Sequence, residues 1–305
     1  MNRSLRGLAA LAAGSLLLFA SAGVQANEPV VVASKIDTEG SVLGQLIIQR
    51  LEQGGIETEN RLQLGATSIV REALLAGEID LYPEYTGNGA FFFDMGDSDV
   101  WNDAERAFET VRQRDADNGL RWLAPAPANN TWAMSVRGDL AREHDLKTLE
   151  DLADYLKEGG DFKFAASAEF VESEQALPAF QEAYGFELTS DQLLVLSGGN
   201  TAATMRAAAQ QTSGVNGAMT YGTDGGLAAL DLVVLEDTKN VQPIYQPAPV
   251  VRQEVLDEHP EIEELLAPVF RALDLETLQE LNGKVAVDGL DPRQVAEGFL
   301  EELPE

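Results

Sequence analysis

Apolar residues fall into short units along the first part of the chain. Val30 to Ser34 form a β-branched run, which predicts a buried strand. From Ser41 to Leu51 the apolar residues recur at helical spacing, and Gly54-Gly55 ends that pattern. A buried strand followed directly by an amphipathic helix is the first half of a βαβ unit.

The same pattern is repeated further along. An extended stretch at residues 61–64 precedes a predicted helix at residues 69–75, for which Thr67 or Ser68 is the expected cap. Residues 79–82 are the next strand candidate. Three strands alternating with two helices within about 55 residues are typical of a parallel α/β sheet.

The middle of the chain predicts a second α/β unit, and the end is helical. Strands are expected at residues 162–166, 193–196, 215–220 and 232–235, with a helix at residues 175–184. From Arg252 onward the apolar spacing is that of helices with acidic outer faces.

Two proline-containing segments are expected to connect these units. They are Ala124–Ala128, named here the first crossing, and Gln242–Pro249, the second crossing. Proline stiffens a connection and disfavours helix. Paired crossings predict a double hinge between an outer domain, residues 27–128 and 243–305, and an inserted domain, residues 129–242.

The first 26 residues have the composition of a secretory signal peptide. Arg3 and Arg6 provide a positive region, Leu8 to Ala20 is apolar, and Val24-Gln25-Ala26 offers small residues for cleavage after Ala26. The apolar stretch is shorter than the ~20 residues of a spanning helix, although an uncleaved anchor is the alternative. Since the chain has no Cys for lipid attachment, we expect a soluble periplasmic protein without a lipid anchor.

The charge balance changes which partners are expected. The chain has 305 residues with 51 acidic and 21 basic side chains, a formal net charge of −30. Nucleic acids and anionic membrane surfaces would repel such a molecule, so neither is an expected partner. A surface dense in carboxylates is typical of proteins that stay soluble at high salt, but a merely acidic soluble protein has the same composition.

Residue types for covalent and metal chemistry are scarce. The absence of Cys excludes disulfides, thiol nucleophiles and Cys-ligated metals, and the two histidines, His144 and His259, accompany no Gly-x-Ser-x-Gly turn. The sequence also has no phosphate-binding loop. Carboxylate pairs are too common among 51 acids to identify a glycosidase. We therefore expect no catalytic residue, no metal and no cofactor.

Aromatic side chains stand at predicted strand ends. Tyr82 and Tyr85 stand where one strand ends, Trp132 lies beside the first crossing, and Tyr221 ends another strand. Ligands of open α/β sheets bind at the carboxyl ends of strands. Aromatic faces attract cations, and a methylated ammonium suits them because it is poorly hydrated. Core packing is the alternative for each ring taken singly, but their order along the chain favours a cleft for a quaternary ammonium.

Several segments together carry a family resemblance. They are Ser34–Gly44, Leu64–Ser68, Gly77–Gly87, Tyr221–Gly225 and Pro247–Val251, and the Tyr-Pro-Glu-Tyr-Thr-Gly motif within the third is the most specific. In these segments the chain resembles the substrate-binding proteins of osmoprotectant ABC importers, the OpuAC-type glycine betaine/choline-binding family, and its soluble periplasmic branch in particular. The resemblance implies a type II periplasmic-binding-protein clamp, in which two α/β domains close on a solute across two hinge crossings.

The resemblance also implies which residues hold the solute. The expected ligand-binding residues are Lys35, Thr67, Tyr85, Asn88, Trp132, Ser173, Tyr221 and Asp224. Tyr85 and Tyr221 would be walls of an aromatic cage, and Trp132 would stand where relatives usually have Tyr. These walls would surround the trimethylammonium group.

The carboxylate end of betaine has a weaker expected site. Ser173 stands where the family has an Arg that grips the carboxylate, and a bidentate guanidinium is a strong anion contact. The remaining donors would be Lys35, Thr67 or Asn88, unless Arg71 or Arg206 fills the role. We therefore expect weak betaine binding.

The resemblance and the residues together predict a non-catalytic solute-binding protein. It would capture a quaternary ammonium osmolyte, glycine betaine first, and deliver it to an inner-membrane ABC permease driven by a cytoplasmic ATPase; we expect it to be a monomer. Choline, proline betaine, ectoine or an amino acid are alternative ligands. A secreted hydrolase that uses a carboxylate pair is the alternative from another class.

Overall fold

The computed structural model describes residues 28–196 and 201–303. The expected signal peptide, residues 1–26, therefore lies outside the described residues. Within the described ranges, none of the helices has the length and apolarity needed to cross a membrane.

Strands and helices alternate through most of the described chain. The strands are β1 (Val30–Lys35), β2 (Thr58–Gly65), β3 (Leu81–Tyr85), β4 (Leu120–Trp122), β5 (Trp132–Arg137), β6 (Phe164–Ser167), β7 (Leu193–Leu196), β8 (Gly217–Tyr221), β9 (Leu232–Val234) and β10 (Pro247–Arg252). The helices are α1 (Thr38–Gln53), α2 (Thr67–Leu75), α3 (Gly89–Phe92), α4 (Ala104–Ala116), α5 (Gly138–His144), α6 (Leu149–Lys157), α7 (Ala168–Glu172), α8 (Leu177–Tyr184), α9 (Thr201–Ala209), α10 (Gly226–Ala229), α11 (Gln253–Glu258), α12 (Glu261–Arg271), α13 (Leu275–Ala286) and α14 (Pro292–Glu302).

The strands form two five-stranded mixed sheets. The first sheet has the order β2-β1-β3-β10-β4, and the second has the order β7-β6-β8-β5-β9. In each sheet the first three strands are parallel and the fourth is antiparallel to both of its neighbours. The α/β class predicted from the sequence is therefore confirmed, with an antiparallel strand added to each parallel trio.

Helix α1 anchors the first sheet to its core. Leu43, Leu46 and Ile47 are fully buried on one helix face, as their spacing predicts. The helix ends at the Gly54-Gly55 pair, where Gly55 has a φ of 85° that favours a residue without a side chain. The C-terminal helices α12 to α14 contribute to the same apolar cluster, so the end of the chain packs onto the first sheet.

The two sheets exchange strands through the two crossings. Edge strand β4 of the first sheet leads to antiparallel strand β5 of the second, and edge strand β9 of the second leads to antiparallel strand β10 of the first. The crossings are bonded to each other: Ala126 N donates to Pro247 O at 2.8 Å, and Asn130 N, just past the first crossing, donates to Tyr245 O at 2.9 Å. A division into domains at 128/129 and 242/243 remains a prediction.

Helix α13, which packs on the first sheet, also contacts the turn that follows β8 of the second sheet. Gln279 Nε2 donates to Gly222 O at 2.7 Å. A side chain at Gly225 would place its Cβ 2.2 Å from Gly283 N, so this close approach requires glycine. The turn after β8 is therefore held directly against a helix that packs on the other sheet.

One detail of the predicted helices is wrong. Neither Thr67 nor Ser68 caps α2: the N-cap is Ala66, which makes no side-chain cap bond, and Thr67 is the first helical residue. Ala66 already has the extended backbone that an N-cap requires, so the helix begins one residue earlier than the polar side chains suggest.

Candidate functional site

A cavity of about 890 Å³ lies between the two sheets, beside the crossings. Its described lining comprises Lys35, Ile36, Asp37, Thr38, Glu39, Thr67, Tyr85, Asn88, Asn130, Trp132, Glu169, Gln175, Thr201, Ala202, Met205, Tyr221, Thr223, Asp224, Gly225, Gly226, Gln242, Pro243, Tyr245, Asn282 and Ala286. This volume is within the range of small-molecule sites.

The cavity lies at the carboxyl ends of parallel strands from both sheets. Lys35 ends β1 and Tyr85 ends β3, while Tyr221 ends β8 in the second sheet. Glu169 belongs to the short helix that follows β6. Parallel strands direct their carboxyl ends to one edge of a sheet, and two such edges facing each other form the cavity.

Four aromatic side chains line the cavity: Tyr85, Trp132, Tyr221 and Tyr245. Trp132 and Tyr221 are register partners on antiparallel strands, so their side chains lie next to each other on one face of the second sheet. Tyr245, in the second crossing, packs over Gly87: a Cβ there would lie 2.7 Å from the Tyr245 ring. The last residue of the Tyr-Pro-Glu-Tyr-Thr-Gly motif is thus a glycine because an aromatic wall occupies its side-chain space.

The fully buried carboxylate of Glu84 accepts hydrogen bonds from several side chains beside the cavity. Its Oε1 accepts from Lys35 Nζ at 2.5 Å and from Asn88 Nδ2 at 2.7 Å. Its Oε2 accepts from Tyr82 OH at 2.8 Å. Two of the donors expected to hold a solute carboxylate, Lys35 and Asn88, are therefore engaged by a carboxylate of the protein itself.

A second buried carboxylate, Glu39, lies on the cavity wall. Its Oε1 accepts from Tyr85 OH at 2.7 Å and from Asn130 Nδ2 at 3.0 Å, and its Oε2 accepts from Asn282 Nδ2 at 2.7 Å. Burial raises the pKa of Tyr85 well above its usual value, and the nearby Glu39 adds to this rise. The phenol therefore stays protonated and remains a donor to Glu39.

The charges around the cavity favour a cation. The charged residues of its described lining are the acids Asp37, Glu39, Glu169 and Asp224 and the single base Lys35, which is paired with Glu84 outside that lining. Burial raises the pKa of Asp224, although its carboxylate accepts from Tyr221 N at 2.8 Å. A cationic group inside the cavity would be attracted to these carboxylates more strongly than in water.

Thr67 is the expected residue best placed for an anion. It lines the cavity as the first residue of α2, a nine-residue helix whose N-terminus has no side-chain cap. The first amide groups of such a helix lack intrahelical acceptors and carry partial positive charge. The N–H groups at the Thr67 end of α2 can therefore donate to a solute carboxylate in a site that has no Arg side chain.

The structure does not bring every expected residue to the cavity. Seven of the eight line it, but Ser173 does not: it caps the end of α7, where its N donates to Glu169 O at 2.9 Å. Neither alternative Arg lines it. Arg71 is buried in a bidentate pair with Asp115, and Arg206 is exposed, with Nε bonded to the carbonyl of Ala202.

Sequence reasoning missed several wall residues. Tyr245 could have been found, because an aromatic residue between Pro243 and Pro247 in a predicted hinge is unusual for a connection. Glu39 is hidden among 51 acids, and Asn282 lies 243 residues away from it along the chain. A local sequence pattern cannot predict a contact between residues so far apart along the chain.

Comparisons with known proteins agree with this geometry. Residues 28–302 match the family described as the substrate binding domain of ABC-type glycine betaine transport systems. The chain is 56% identical to the glycine betaine-binding protein YehZ of Escherichia coli K12, over 95% of this chain and 96% of the relative. It is 33% identical to a glycine-betaine-binding protein of Pseudomonas aeruginosa, over 99% of this chain and 95% of the relative. Its fold matches apo YehZ from Escherichia coli with a TM-score of 0.85 and 57% identity, over 90% of this chain and 98% of that chain.

Proposed function

The chain belongs to the family of substrate-binding domains of ABC-type glycine betaine transport systems, and from this membership we infer that its cavity captures a quaternary ammonium solute, glycine betaine first. As the substrate-binding component of an ABC importer, it hands that solute to a membrane permease with its ATPase. The type II periplasmic-binding-protein fold expected from the sequence is confirmed by the match to apo YehZ.

One observation supports the choice of solute class above the others. Four aromatic rings and four carboxylates line a cavity whose one described basic side chain is already paired. An aromatic face attracts a cation through its quadrupole, and a methylated ammonium loses little hydration on entering such a site. The cavity therefore suits a trimethylammonium group better than an anion or an uncharged sugar.

The carboxylate of betaine would bind at the opposite end of the solute. Thr67 and the uncapped N-terminus of α2 provide donors there, while Lys35 and Asn88 remain bound to Glu84. Neutral donors hold a carboxylate less strongly than a guanidinium does. This supports weak betaine binding, as the sequence predicts.

Substrate-binding proteins of transporters catalyse no reaction, and those of this family work outside the cytoplasm. For this chain we propose release of the solute unchanged, and export with cleavage after Ala26. The paired crossings would act as the hinge of a two-domain clamp, with boundaries at 128/129 and 242/243. Mass spectrometry of the exported protein tests the cleavage site.

The decisive experiment is calorimetric titration of the purified protein with glycine betaine, choline, proline betaine and ectoine, followed by recovery of each ligand. We expect heats of binding for the methylated ammonium compounds and full recovery of unaltered ligand. Tryptophan fluorescence, reporting on Trp132 in the cavity wall, should change with the same dissociation constants. Turnover of any ligand, or binding of ectoine alone, would contradict the proposed function.

A further inference from the structure

Glu39 joins residues from three separate parts of the chain. Its carboxylate accepts hydrogen bonds from Tyr85 at the end of β3, from Asn130 beside the first crossing and from Asn282 in α13. Its side chain is buried, and the residue is only 5% exposed. A single carboxylate thus holds together one aromatic wall of the cavity, the chain beside the first crossing and helix α13.

The same network reaches the second sheet. Asn282 Nδ2, besides bonding Glu39, donates to Thr223 O at 2.9 Å. Thr223 belongs to the turn that follows β8 and lies between Tyr221 and Asp224, both of which line the cavity. The Thr223 side chain also bonds Glu39, so Glu39 is linked to the cavity wall that the second sheet contributes both directly and through Asn282.

The ionised carboxylate of Glu39 is costly to bury. Burial raises the pKa of Glu39 above its ordinary value, and the hydrogen bonds from Thr223, Tyr85 and Asn282 oppose that rise only in part. The neighbouring Asp37 raises it further. An ionised group that is harder to ionise in the folded chain than in water lowers the stability of the folded state near neutral pH. Groups of this kind cluster at functional sites.

We propose that Glu39 is a positioning residue for the cationic solute. It orients the Tyr85 ring and, through Asn282, the turn that carries Tyr221 and Asp224, and it places a negative charge in the cavity wall. A phenol that donates to a carboxylate has a more electron-rich ring, which binds a cation more strongly. The inference rests on the proposed function and adds a residue that does not have to touch the solute.

The test compares Glu39→Gln with Glu172→Gln in titrations with choline chloride and glycine betaine. Glu172 is exposed at the end of α7 and does not line the cavity, so its variant makes the same change in net charge. We expect Glu39→Gln to weaken both ligands about tenfold or more, and Glu172→Gln to change neither by more than about twofold.

The stability difference between wild type and Glu39→Gln should depend on pH. A raised pKa in the folded state gives wild type a stability contribution that is present below the ordinary value of 4.5 and is lost as pH rises through the folded-state pKa. Glu39→Gln removes this dependence. We therefore expect wild type to gain stability relative to the variant as the pH falls from 8 towards 4, whatever the two melting temperatures are at pH 8.

The pH dependence of binding gives an independent readout. On acidification, wild-type affinity for choline should fall as Glu39 and Asp224, whose pKa values burial raises, become protonated. Asp37, Glu169 and Asp224 remain in the Glu39→Gln variant, so its affinity should fall less than that of wild type. A Tyr85→Phe and Glu39→Gln double variant should lose less affinity than the two single losses combined, because both remove the same hydrogen bond.

The outcomes separate the two proposals. A wild-type protein that binds neither choline nor betaine overturns both. If wild type binds and Glu39→Gln binds equally well, or if the variant binds more weakly only because it has unfolded, only the positioning role is overturned, since a merely structural carboxylate would behave in that way.

Discussion

The ammonium group of Lys35 is bound to the buried carboxylate of Glu84 at 2.5 Å and lies 4.5 Å from the centroid of the Tyr85 ring. Lys35 therefore already makes a cation-π contact with a residue expected to form a cage wall for the solute. Its charge is neutralised by Glu84 before any solute carboxylate arrives. The sequence indicates a cationic donor at this position, but only the structure shows that its partner belongs to the protein.

The pair predicts unequal costs for removing its two members. Glu84→Gln leaves the Lys35 ammonium buried without its counter-charge, and breaking a buried pair in this way costs about 3–5 kcal/mol. Lys35→Met should cost less, because Glu84 keeps donors from Tyr82, Asn88 and the Tyr85 backbone. Urea unfolding of both variants measures the difference. Equal losses would show that the remaining donors do not support the carboxylate.

Trp132 should be the most sensitive aromatic wall to truncation. Trp132→Ala is expected to weaken quaternary ammonium binding more than tenfold, since a desolvated cation-π contact is worth ~2 kcal/mol and tenfold is about 1.4 kcal/mol. Trp132→Tyr should be mild because it keeps an aromatic face. The ring also packs edge-on against Phe170 at 5.7 Å, so melting curves must accompany the calorimetry. An unchanged dissociation constant in folded Trp132→Ala would remove this residue from the cage.

Thr67 should affect the carboxylate end of the solute alone. Thr67→Val keeps the shape of the side chain and removes its hydroxyl, so we expect betaine to bind about threefold to tenfold more weakly while choline, which has no carboxylate, changes little. Ser173→Ala is the comparison, because Ser173 lies off the cavity wall and should leave both ligands unchanged. Equal effects of Thr67→Val on betaine and choline would show that the solute carboxylate does not bind at the N-terminus of α2.

The predicted strands agree best where the local pattern is strong. The run from Val30 matches β1 closely, and β7 matches residues 193–196. The expected strand at residues 79–82 is displaced to Leu81–Tyr85, which includes Pro83, and proline is rarely found inside a central strand. In the sheet Pro83 lies opposite Pro249, so two residues without an N–H face each other and neither has to donate. Tertiary pairing of this kind cannot be deduced from a single segment.

The residues of the candidate site likewise fall into those that a local motif predicts and those that long-range contacts bring to the cavity. Residues beside recognisable motifs, such as Tyr85 and Asp224, reach the cavity as expected, and their roles towards a solute remain predictions. Glu39, Asn282 and Tyr245 join it through contacts between distant parts of the chain. The family resemblance places Ser173 at the cavity, but in the structure Ser173 follows the last turn of α7, whereas Glu169 in the first turn of that helix lines the wall.

The acidity of the chain predicts that salt stabilises the fold. With 51 acids against 21 bases, repulsion between exposed carboxylates opposes the compact state, and raising the salt from 0.1 to 1 M shortens the screening length from ~10 to ~3 Å. Exposed pairs such as Arg106–Asp99 are screened as well, but exposed pairs contribute little to stability. The buried Lys35–Glu84 and Arg71–Asp115 pairs are shielded from solvent and should persist. We therefore expect the melting temperature to rise from low to molar sodium chloride, and equally in potassium chloride. A flat or falling melting temperature would mean that the carboxylates are spaced widely enough not to repel one another, which leaves an acidic protein without adaptation to salt.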